Sequence, residues 1–198
     1  LNIAQAAVVI MERAIELTLD FVRDREAVAI HTDAAALLWR LELAGEDVSA
    51  AWEPVAQARE ARAGDFTIPY IAAHHAYVFA RTGRQDALDR TLERAAQLQE
   101  SVQGERRVAW REVGLPLLEG ISAFAAGDAK RGAATLEPIL TDVGRGGGSD
   151  AQVDLFRQTH LVATSQAGEH SQARQLWERR VGDRHPTALE ERWREDFS

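Results

Sequence analysis

The chain has 198 residues, 45% of them hydrophobic and 27% charged, and a formal net charge of −8. That is enough material for one ordinary domain with its own core. The acidic balance argues against a general nucleic-acid backbone binder, and the absence of cysteine excludes a disulfide framework, a thiolate zinc site and a cysteine nucleophile.

Alanine occurs 35 times and arginine 22 times, against the single lysine Lys130. These are helix formers, and the bias matches a GC-rich bacterial genome. No apolar run approaches the ~20 residues needed to cross a bilayer. The short run from Ala6 to Met11 is followed at once by Glu12, Arg13 and Glu16, so no signal peptide is expected. The expected home is the cytoplasm, with no membrane partner.

The first predicted element is a helix over Asn2 to Ala27. Ile3, Ala7, Ile10, Ala14, Leu17 and Phe21 recur at helical steps and form one stripe, expected to pack on the next helix. A pattern then repeats four times: an apolar helical stretch, a closing glycine, a polar turn and a second helix. The glycines are Gly45, Gly83, Gly127 and Gly168, spaced 38, 44 and 41 residues apart. Glycine permits the left-handed conformation that closes a helix. A helix–turn–helix unit at this period marks an α-solenoid, here of the tetratricopeptide (TPR-like) kind.

The second helices are predicted over Val48 to Ala63, Gln85 to Val102, Lys130 to Leu140 and Ser171 to Arg180. Small residues, which let paired helices approach, are expected five positions after each glycine. Ala50, Gly132 and Ala173 fit there and Leu88 does not; Ala76 and Gly120 fit the matching place seven residues before the glycine. The charged stretch Gly104 to Glu112 and the glycine-rich Thr141 to Ser149 read as links, the second flexible. A last amphipathic helix from Pro186, carrying Leu189, Trp193 and Phe197, is expected to cap the array. The domain reading is one unit: a packing helix over 1–30, repeats over 31–182 and a cap over 183–198.

Three segments are similar to those of the tetratricopeptide repeat protein 38 family. They are Asp33 to Gly45, Val113-Gly114-Leu115-Pro116-Leu117, and Gly148 to Phe156. The likeness runs from about His31 onward and resembles the C-terminal half of family members. It implies an all-helical repeat fold and carries no settled activity. It also implies polar positions within the helices, which fall here on His74, Asp150, Gln152 and Asp154. They define one candidate polar pocket for a small-molecule binder or a helical enzyme.

In a TPR-like array the first helices line the concave face. Phased on the glycines, Trp39, Glu42, Tyr70, Tyr77, Arg81, Phe124, Gln158 and Gln166 point inward, and aromatic and arginine side chains make good partner anchors. The six histidines are scattered without a His-Glu-x-x-His run, and no serine sits in a nucleophile setting. No cofactor, metal or catalytic residue is therefore expected. The reading is a non-catalytic protein-binding or scaffold module. Its partner is a protein, a peptide or a second copy joined through the Ile3–Phe21 stripe or the Leu189–Phe197 end.

Overall fold

A computed structural model describes residues 28–197, and every regular element among them is helical. The helices are α1 (Val28–Leu43), α2 (Ser49–Glu60), α3 (Pro69–Arg81), α4 (Gln85–Ser101), α5 (Glu105–Ala109), α6 (Leu115–Ala125), α7 (Ala129–Leu136), α8 (Asp150–Gln166), α9 (His170–Val181) and α10 (Ala188–Glu195). The predicted helix over 2–27 and its stripe lie outside the described residues.

The four closing glycines do what their chemistry suggests. Gly45, Gly83, Gly127 and Gly168 have φ of 79, 67, 92 and 83°. In each turn the glycine N–H donates to a carbonyl three residues back, and the next residue's N–H donates five residues back. Gly45 to Glu42 with Glu46 to Leu41, and Gly168 to Ser165 with Glu169 to Thr164, are the first and last cases. This double bond pattern is a Schellman cap. It ends α1, α3, α6 and α8 identically and turns the chain into α2, α4, α7 and α9.

Packing within the hairpins follows the small residues. A Cβ on Gly120 would meet Leu136 at 2.7 Å, and one on Gly132 would meet Phe124 Cβ at 2.9 Å and the Gly120 carbonyl at 3.1 Å. These two glycines therefore set the close approach of α6 and α7. Ala76 and Ala173 are fully buried. Ala50 departs from the expectation: it is exposed, and its neighbour Ala51 turns inward.

The first helices form a ring. Helix α1 packs on α3, α3 on α6, α6 on α8, and α8 back on α1. The concave surface expected along these helices is therefore filled. Trp39 stacks on Tyr77 with centroids 3.9 Å apart, and Phe156 lies 5.9 Å from Trp39 and 6.1 Å from Tyr70. Trp39 is 0% exposed and Tyr77 1%. Trp39, Tyr70 and Tyr77 are thus core, because α1 and α8 close over them.

Several expected boundaries shift for local reasons. The predicted helix over Lys130 to Leu140 stops as α-helix at Leu136, and a 3₁₀ turn follows over Glu137–Ile139. Pro138 has no N–H and disfavours a helical residue before it. The charged link near Gly104 is helical: α5 runs through a π-helical turn (Trp110–Gly114) into α6. A wide turn there sits just ahead of Pro116, whose ring cannot fit a regular α-helical ladder. A Cβ on Gly114 would lie 2.6 Å from the Trp110 ring and 2.9 Å from Pro69, so this bend needs glycine.

The glycine-rich segment is a packed turn rather than an open linker. Val143–Gly146 form a 3₁₀ turn with Val143 buried, and Gly147 and Gly148 lie against Ile68 and Tyr70. The last helix starts at Ala188, two residues after Pro186, with Thr187 as its N-cap. Trp193 and Phe197 are buried, and Trp193 Nε1 donates to the Leu43 carbonyl at 2.8 Å. The C-terminal cap therefore seals the end of α1. Trp193 and Phe197 are thus used inside the chain, while Leu189 is only partly buried.

Candidate functional site

The ring of first helices opens at one end, where the four Schellman turns gather. There a recess of about 280 Å³ lies between the last turns of α1, α3, α6 and α8. Glu42, Tyr77, Arg81, Phe124 and Gln166 line it, together with Leu43, Val162 and the Ala125-Ala126-Gly127 turn. Five of the eight residues expected on the inner face thus meet at one place. They do so because each sits within the last two turns of a first helix, and the caps bring those turns together.

Glu42 organises the rim. Its Oε2 accepts from the Tyr77 hydroxyl at 2.7 Å and its Oε1 from Arg81 Nε at 2.6 Å. Burial, and then the facing Glu42 carboxylate, push the Tyr77 phenol well above its ordinary pKa, so it stays a donor. Arg81 is engaged only through Nε among the described residues. Its side chain is 35% exposed, and its terminal amino groups remain able to take a carboxylate from outside. Phe124 is half-buried and shows part of its ring beside Tyr77, with centroids 6.4 Å apart.

The other predicted positions lie elsewhere. Trp39 and Tyr70 are sealed beneath the recess. Gln158 turns away and donates to Asp154 at 2.8 Å. Leu43 and Val162 escaped the sequence reading, although Val162 lies one helical turn before Gln166 on the same face.

No family model matches the chain, and no solved structure matches it. The site must accordingly be read from its own geometry.

The polar pocket expected from His74, Asp150, Gln152 and Asp154 does not assemble. His74 is 1% exposed and sits among Trp39, Tyr70 and Phe156, where its Nδ1 meets the Tyr70 carbonyl at 2.8 Å. Asp150 is exposed in the first turn of α8. Gln152 folds back so that its Oε1 accepts from the Ser149 N–H at 2.8 Å, completing a capping box. Asp154 takes two bonds of 2.7 Å from Arg180 on α9. His74, Gln152 and Asp154 are held by different partners and Asp150 points to solvent, so no acid and base face a common space.

The neighbouring histidine has a structural task. Arg59 is buried and donates from Nε to His75 Nε2 at 2.7 Å, while His75 Nδ1 meets the Ala63 carbonyl at 3.2 Å. Burial lowers the Arg59 pKa to about 10. The pair ties the end of α2 to α3 and was not foreseen, because arginine is rarely a core residue. Among the described residues no group of His, Asp and Glu could hold a metal ion, and no helix is long and apolar enough to cross a membrane.

Proposed function

We propose that this chain is a non-catalytic, TPR-like helical-repeat module that binds a protein or peptide at the mouth of its ring. The observation that carries the reading is the convergence of Glu42, Tyr77, Arg81, Phe124 and Gln166 on one recess, with the Arg81 amino groups unengaged. At about 280 Å³ the space falls just below the range of small-molecule pockets. It suits one side chain of a partner better than an enclosed substrate. Leu43, Phe124 and Val162 supply an apolar floor and Arg81 a charged edge. The matching ligand is a peptide segment carrying an apolar side chain next to a carboxylate.

A random peptide library panned against the chain tests this. Enriched peptides should carry that pairing, and Phe124→Asp or Arg81→Glu should lower their affinity about tenfold or more. Helical circular dichroism should be unchanged, since both side chains are partly exposed. Failure to enrich any peptide, or binding indifferent to both substitutions, would remove the reading.

A further inference from the structure

A second recess lies on the outer side, between α8 and α9. Its volume is about 350 Å³, at the small end of the ligand-pocket range. Its walls are of two kinds. Leu140, Leu161 and Leu176 give an apolar floor, and Arg157, Arg179 and Arg180 surround it, with His160 and Asp154 between them.

The arginines are unequally engaged. Asp154 is matched by Arg180, which grips it with two 2.7 Å bonds. Arg180 and Arg184 together hold Glu190. Glu137, the other carboxylate near His160, accepts from Gln172. Arg157 makes no hydrogen bond among the described residues, and Arg179 uses only Nε, on the Gln175 carbonyl at 3.3 Å. Two guanidinium groups at one recess thus keep uncommitted amino groups, in a chain whose net charge is −8.

A further feature points to a ligand. His160 is 1% exposed and lines the recess, yet its Nδ1 has no hydrogen-bond partner. Its other ring nitrogen has only a long 3.5 Å contact with the Thr164 hydroxyl, which itself donates to the His160 carbonyl at 2.8 Å. A buried imidazole nitrogen is costly to leave unpaired.

We infer that this recess binds a small organic carboxylate, its head held by Arg157 and Arg179 beside His160 and its apolar body laid on the three leucines. The site is separate from the mouth of the ring, so its test does not depend on the peptide reading. Calorimetric and NMR titrations with hexanoate, with the neutral analogue hexanamide and with inorganic phosphate check it. Hexanoate should saturate and shift the His160 ring resonances, and the other two should bind about tenfold more weakly or worse. The double variant Arg157→Gln/Arg179→Gln should lose a similar factor for hexanoate and keep its melting temperature, because both side chains are exposed. Equal binding of hexanamide would reduce the site to a greasy patch. Equal binding of phosphate would reduce it to a bare cationic one. Either result, no saturable binding of hexanoate, or full affinity in the double variant overturns the proposal.

Discussion

Lowering the pH should weaken the fold through His74, and the size of the effect follows from its surroundings. The ring is enclosed by Trp39, Tyr70 and Phe156. Its Nδ1–H donates to the Tyr70 carbonyl, and its Nε2 has no partner. A second proton would sit on Nε2 without an acceptor, in a dry core. Burial accordingly lowers the pKa from 6.5 to about 4. Above pH 6.5 the ring is neutral in both folded and unfolded chains and adds no pH dependence. Between pH 6.5 and 4 the unfolded chain takes up a proton that the folded chain refuses, so stability falls as pH falls. The full loss is on the order of 3 kcal/mol below pH 4, of which about 2 kcal/mol is already gone at pH 5. Urea unfolding at pH 7.5 and pH 5.0 measures it. His74→Gln removes the titrating ring, so its stability should drop about 2 kcal/mol less than that of the parent over this interval. Acidic groups and His160 respond equally in both proteins and cancel. Identical pH slopes in parent and variant, or an NMR titration of His74 near 6.5, would refute the reasoning.

Two further outcomes follow from the packing. Glu190 is buried, accepts from Arg180, Arg184 and the Thr187 cap, and has its pKa lowered to about 2, first by the Arg184 bond. Glu190→Gln should cost about 2–4 kcal/mol and speed amide exchange over 188–197; unchanged exchange there would show that Trp193 alone holds the last helix. Trp39→Ala should destabilise by about 3–5 kcal/mol and lower the melting temperature, since it empties the centre of the ring; a variant that melts like the parent would place Trp39 outside the core.

The local grammar of the chain was readable. Each helix-closing glycine sits where a left-handed residue is needed, because the requirement involves only a few neighbouring residues. Gly120 and Gly132 were legible for a similar reason: a missing side chain permits close approach wherever two helices pair. What escaped the sequence was the sum of small rotations between hairpins, which decides whether α8 meets α1. That sum turned Trp39 and Tyr77 from a facing surface into a stacked core, and it left Glu42 and Arg81 as rim. The π-helical turn before Pro116 was missed because its cue, one proline after a run of charge, reads equally well as a link. The resemblance placed His74 and Asp154 in one pocket, but the partners that claim them, the Tyr70 carbonyl and Arg180, are fixed by tertiary packing.

Meeting of the first and last of the first helices has an evolutionary corollary. Open arrays can lengthen or shorten by duplicating or deleting a unit, since each unit touches only its neighbours. Here the α1–α8 contact and the Trp193 bond to Leu43 join the two ends of the series. A fifth hairpin would have to wedge that seam apart, and a loss of one would leave two apolar faces with nothing to meet. Among the described residues the set of four is thereby closed on itself, so adding or deleting a unit carries a packing cost that an open array does not meet.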